Sequence, residues 1–286
     1  GSNRHQLERG IRHYSRAPED SLKLKAAEFL ILNMPGKYSE SYDAAWEDVA
    51  TVNLRWSSSL DKTGVLDTYK LGNPVRRDDI HHITAEYLIS NIDLAFQVWN
   101  DKPWGKYIPF DTFCEEILPY RIGTEPLENW REKVLASFAD INNLLKGDSA
   151  ITAVEACSQV NDILPRFRMD KDFSNMSFTQ LMATTRGTCD SFAALAAFVM
   201  RGLGIPVTVD FTPQWKIHPT GHTWNSVRDS AGQHISFMGT ETNPYGSHQG
   251  NTLQKAKAYR KTYKRHRVVE TDGPRTPPLF QNSLYD

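Results

Sequence analysis

"RGTCDSFAALAAFVMRGLGIPV", residues 186–207, is the stretch whose reading decides the fold. It places Cys189 among small residues at the start of an apolar helix and closes that helix at Gly204-Ile205-Pro206. Phe192, Leu195, Ala196, Val199 and Leu203 recur at helical spacing as one apolar stripe. Ala193, Ala194 and Ala197 keep the adjoining face small enough to lie on a sheet. Cys189 then falls in the first turn, where unpaired backbone N–H groups and the helix dipole favour a thiolate. The same N–H groups could bind the oxyanion of an acyl-transfer intermediate. A lone thiol can equally be a small apolar core residue, so the surrounding sequence has to choose.

Downstream, Val207, Val209 and Phe211 alternate with Thr208, Asp210 and Thr212, as in a half-buried strand. The loop "PQWKIHPTG" (213–221) leads to "HTWNSVR" (222–228), in which His222, Trp224 and Ser226 share a face. "DSAG" (229–232) then turns the chain into "QHISFM" (233–238). His222 thus opens a hairpin strand, where an imidazole could take the thiol proton and return it to a leaving group. Its orienting partner should lie on the next strand, so register decides its identity. A two-residue turn at Ala231-Gly232 sets Glu241 opposite His222. A four-residue loop sets Gly239 there, and a bulge at Gly232 sets Thr240.

Upstream, from Asp20 to about Arg168, the pattern is helical. "SLKLKAAEFLILNM" carries Leu22, Leu24, Ala27, Phe29, Leu30 and Met34 at three- and four-residue steps and stops at Pro35-Gly36. Residues 42–55, 83–99, 111–119, 126–145 and 151–164 read similarly. Short alternating runs after residue 206 complete an α+β pattern. The expected division is a helical region over 3–150, a core over 151–268 and an extended tail over 269–286, a stretch that could lead into further domains.

With 33 basic against 34 acidic side chains, no global field recruits nucleic acid or anionic lipid. The segment "KAKAYRKTYKRHR" (255–267) is basic and aromatic, but short, and reads as a solvated strand or helix face. No apolar run approaches a membrane span. Gly1-Ser2 reads as the remnant of a cleaved tag, so any targeting segment would have preceded it. Three widely spaced cysteines make no disulfide framework. Cys114 and Cys157 read as helix-core thiols. A zinc site from Cys189, His218 and His222 fits no common ligand spacing, so neither metal nor cofactor is expected.

The run 186–207 followed by "GHTWN" resembles the core of the transglutaminase-like superfamily, with its Gly-x-Cys helix start, Arg-x-Leu-Gly-Ile-Pro helix end and His-x-Trp strand start. "SLKLKAAEFLILNMP", "FCEEILPYRIGTEPLENWR" and "FMGTETNP" extend a looser resemblance to a bacterial branch of secreted or lipid-anchored proteins whose core follows a helical region. The resemblance implies a papain-like fold with Cys189 as nucleophile and His222 as base. It also implies a protein, peptide or other amide-containing substrate, and a secreted, periplasmic or lipid-anchored location. The superfamily usually carries Asp on the strand after the histidine, where this chain has Gly239. Glu241 is the expected substitute, with Asn225 as the alternative. Asp190 is either an aid to the reacting group or a dipole partner, and Trp215 and Trp224 either line a groove or simply pack. The cluster Tyr120, Arg121, Glu125, Trp130 and Arg131 reads either as an ion-paired loop or as a wall of the groove.

Overall fold

The computed structural model describes residues 3–41, 75–169, 175–217, 219–246 and 257–265. The expected helix at 42–55, His218 and the tail 269–286 lie outside the described residues. The first helices are α1 (Arg4–Tyr14) and α2 (Ser21–Leu32). A short antiparallel pair, β1 (Tyr38–Ser41) and β2 (Val75–Asp78), precedes α3 (Asp79–His82) and α4 (Ala85–Asp101). Next come α5 (Phe110–Glu116), α6 (Trp130–Ser137), α7 (Ala139–Gly147) and α8 (Ala153–Ile163). The expected helix at 126–145 is therefore two, broken at Phe138, whose φ of −117° and ψ of 29° are not helical.

β3 (Arg168–Met169) pairs in parallel with β4 (Arg186–Gly187) on either side of α9 (Phe178–Thr184). The start of α9 was written in "SFTQ". Ser177 Oγ accepts from the Gln180 N–H, and Gln180 Oε1 accepts from the Ser177 N–H at 2.8 Å. After α10 (Cys189–Gly202) come β5 (Val207–Thr212), β6 (His222–Arg228), β7 (His234–Phe237) and β8 (Tyr259–Lys261). These four form an antiparallel sheet in the order β7-β6-β5-β8.

α10 is the centre of the molecule. One side packs on β5 and β6, the other on α4, α6, α8 and α9. Its residues 191–193 and 195–202 are all buried, far beyond the single stripe its spacing suggested. A helix enclosed on every side needs no polar face. The apolar core is continuous from Tyr14 in α1 to Tyr263 beyond β8, so the helical region and the sheet share one interior.

The carboxyl end of α10 is held by the helical region. Arg131 donates to the Arg201 carbonyl at 3.0 Å and to Asn91 Oδ1 at 2.7 Å, and Trp104 Nε1 donates to the Gly204 carbonyl at 2.7 Å. These bonds satisfy carbonyls that the helix end leaves without intrahelical donors. The loop from Leu118 to Arg131 is thus the ion-paired, structural reading of its two. Arg121 forms a buried forked pair with Asp79, Tyr120 donates to the same carboxylate at 3.0 Å, and Trp130 Nε1 donates to the Tyr120 carbonyl at 2.8 Å.

Gly204 explains the Gly-Ile-Pro stop. Its φ is +77°, and a Cβ there would lie 2.6 Å from the Val98 carbonyl oxygen. Gly204→Ala is expected to lower stability by about 2 kcal/mol or more, since it combines left-handed strain with a backbone clash. The urea midpoint should fall with an unchanged slope; an unchanged midpoint would contradict this packing.

Candidate active site

Cys189 is the first residue of α10, and Gly187 before it is required by space. A Cβ on Gly187 would sit 2.4 Å from Ser191 Cβ, because Ser191 folds back to accept from the Thr188 N–H at 3.3 Å. The Gly-x-Cys pattern is therefore the steric signature of a tight cap that opens the helix at the thiol.

The thiol meets β6 one residue beyond the histidine. The backbone N–H groups of Thr223, Asp190 and Cys189 itself act on the thiol and favour its thiolate form. Thr223 donates its hydroxyl to Asp190 Oδ1 at 2.9 Å, which ties the first turn of α10 to β6. Pairing of β7 to β6 ends at Phe237–Asn225, which leaves the mouth of β6 open for the thiol. Thr223 is the residue that sequence reasoning missed. Its signal was strand alternation, since the neighbour of a groove-facing histidine must face the helix.

His222 lies between aromatic neighbours. Its ring stacks with Trp215 at a centroid distance of 5.7 Å and with Trp224 at 6.2 Å, both within 30° of parallel. Trp224 joins Phe192 and Met238 in a small buried cluster, and Cys189 and Phe167 pack against it. Cys189, His222, Trp215 and Trp224 are therefore brought together, and the two indoles narrow the orientations open to the imidazole.

The expected orienters are not placed with them. Arg228 pairs with His234 across a loop in which Gly232 adopts φ +83°, so the continued register sets Thr240 opposite His222. Before reaching that point the chain leaves the sheet in a turn, with Met238 bridging to Thr242. Glu241 is exposed on that turn, and Arg166 is its charged neighbour. Burial nonetheless raises the Glu241 carboxyl above its usual range, against the pull of Arg166. Asn225 lies on the opposite face from His222. Its Nδ2 donates to the Ala193 carbonyl at 3.0 Å and the Thr208 carbonyl at 3.3 Å, tying α10 to the sheet. Gly239 could not be the family's Asp without rearrangement, since a Cβ there would lie 2.5 Å from Ala196 Cβ and 2.7 Å from the Phe192 carbonyl oxygen.

The electrostatics also depart from the helix-start expectation. Burial, followed by the Asp190 carboxylate, holds the Cys189 thiol above its ordinary range despite three backbone N–H groups that favour the thiolate. Asp190 is shared with Lys261, whose Nζ is 3.5 Å from Oδ1. Cys114 and Cys157 are buried, with Cys114 pushed up to about 12 and Cys157 well above its usual value. Removing the Asp190 charge should therefore lower the Cys189 pKa. In an ultraviolet thiolate titration, read as a difference against Cys189→Ser, Asp190→Asn is expected to titrate at lower pH than the parent; an upward shift would contradict the assignment.

Residues 144–238 match the family model described as Transglutaminase-like superfamily. No curated protein matches the chain at a significant level. A crystal structure of a proposed cysteine protease from Cytophaga hutchinsonii aligns with 18% identity and a TM-score of 0.29, over 45% of this chain and 40% of that one. The chain thus spans well under half the length of that solved protein. The fold is α+β, and Cys189 and His222 both lie inside the matched residues 144–238.

Proposed function

We propose that the chain is a cysteine-dependent hydrolase of amide bonds, with Cys189 as nucleophile and His222 as acid and base. The observation that carries this reading is the bond from the Thr223 hydroxyl to Asp190 Oδ1 at 2.9 Å, which joins the residue after His222 to the residue after Cys189. His222 takes the thiol proton, and the thiolate attacks the amide carbonyl carbon. The oxyanion so formed is met by backbone N–H groups of the first turn of α10. As the C–N bond breaks, His222 passes the proton to the departing amine and a thioester remains. Water, deprotonated by His222, then attacks the thioester, and the acid leaves as the thiol is restored. An amine in place of water would give acyl transfer through the same steps.

Burial and Asp190 raise the thiol in the free chain, so substrate binding favours proton transfer to His222. Closure of the site by substrate fits this, since excluding water strengthens every charge interaction within it. A second reading is supported by Gly239: with no carboxylate on the strand after the histidine, the fold could serve as a binding module without turnover.

Turnover of a mixed library of fluorogenic peptide amides separates the two. On the hydrolase reading, Cys189→Ala abolishes release, and His222→Ala lowers kcat/KM by roughly 10²–10⁴-fold. Mass spectrometry of the quenched parent should show a thioester on the peptide containing Cys189. Retention of peptides without release or adduct would favour the binding module. Release that survives Cys189→Ala would refute the mechanism.

A further inference from the structure

Away from the thiol, a cavity of about 540 Å³ opens between the helical region and the β8 edge of the sheet. That is the size of a small-molecule site. Lys37, Arg76, Arg121, Arg201, Lys261 and Arg265 line it, and among the described residues no acidic one does. This concentration is local, since the chain as a whole carries a formal charge of −1.

Four of the six cations already have protein partners. Arg121 pairs with Asp79, Arg201 donates to the Val207 carbonyl at 3.0 Å, Arg76 pairs with Asp78 at 2.8 Å, and Lys261 approaches Asp190. Lys37 and Arg265 differ. Lys37 is only 7% exposed, yet its ammonium has no hydrogen-bond acceptor among the described residues. The Tyr263 ring lies beside it, 4.2 Å from Nζ to the centroid. A ring face attracts a cation but does not satisfy three N–H donors. Arg265 uses its backbone N–H on Asn33 at 2.9 Å, and its guanidinium likewise has no partner among the described residues.

Burying a cation without an acceptor destabilises a fold, and burial accordingly lowers the Lys37 ammonium to about 8. Glu115 and Asp79 on one side and Arg121 and Arg265 on the other modulate it. A cavity whose charged lining among the described residues is all cationic, with one buried ammonium lacking an acceptor, is complemented by an anion.

We infer that this cavity is a binding site for a small polyanion, a ligand presenting phosphate or carboxylate oxygens to Lys37 and Arg265 with Tyr263 packed beneath the lysine. The inference does not rest on the Cys189 chemistry and holds equally for a binding module. Since the folded chain loses the Lys37 proton at lower pH than the unfolded chain does, Lys37→Met should fold and melt higher than the parent at neutral pH. This keeps weak binding by the variant from being mistaken for unfolding.

Calorimetric titration of the full chain at low ionic strength tests the site, with inorganic pyrophosphate and citrate as probes. Saturable binding of at least one probe is expected, unchanged by Cys189→Ala and weakened at least about tenfold by Lys37→Met and by Arg265→Gln, as loss of a charge-assisted bond implies. Pyrophosphate alone would indicate a phosphorylated ligand, and citrate alone a polycarboxylate. Citrate affinity should also fall between about pH 7 and about pH 9 in the parent, as Lys37 loses its proton. No saturable binding of either probe, or equal binding by a folded Lys37→Met chain, would overturn the inference.

Discussion

The clamp between Thr223 and the first turn of α10 is the contact on which the site depends. Its hydroxyl holds Asp190 and its backbone N–H favours the Cys189 thiolate, so the helix start cannot drift along β6 without losing both. At the other end, Arg131 and Trp104 fix the carbonyls of Arg201 and Gly204. A helix tied at both ends and buried between has one position relative to the sheet. That is why the helical region belongs in the account of the site although it contributes no reacting group. Its buried polar side chains, Arg131 above all, turn apolar packing into a defined register of helix on sheet.

The pairing of a raised thiol with an aromatic-flanked imidazole has a chemical consequence. A free thiolate is reactive but exposed to oxidation; on the proposed hydrolase reading, a thiol raised by burial is protected until substrate arrives. Asp190 contributes to that restraint. Thr223 donates to its carboxylate and Lys261 approaches it, which fixes this exposed charge near the sulfur. The buried thiols of Cys114 and Cys157, by contrast, have only packing to do.

Much of this was legible from periodicity and punctuation. β6 runs over the residues that "HTWNSVR" marked, and α10 starts at Cys189 because the Gly187–Ser191 turn forces it to. The partner of His222 was not legible, because the three turn readings of "DSAG" differ by single residues and small energies. The bulged register, with Gly232 at positive φ, prevails. Nor could sequence show that the chain departs the sheet at Met238, which carries Glu241 away, or that Asn225 is committed to the helix backbone. Those outcomes depend on long-range contacts, such as Asn161 accepting from the Thr240 N–H at 2.8 Å. β8 was hidden for a related reason: only three residues of the basic stretch pair with β5, and charge masked their alternation.

The central claim is that Cys189 and His222 act as a pair, and the rate of Cys189 alkylation against pH, with and without His222→Ala, tests it most directly. With a small neutral alkylating agent and peptide mass spectrometry as readout, the account predicts a profile for Cys189 with a shoulder from the histidine's titration. His222→Ala should remove that shoulder and leave the single rise of an isolated, elevated thiol, while Cys114 and Cys157 stay slow throughout. An identical Cys189 profile in the parent and the variant would contradict the pairing.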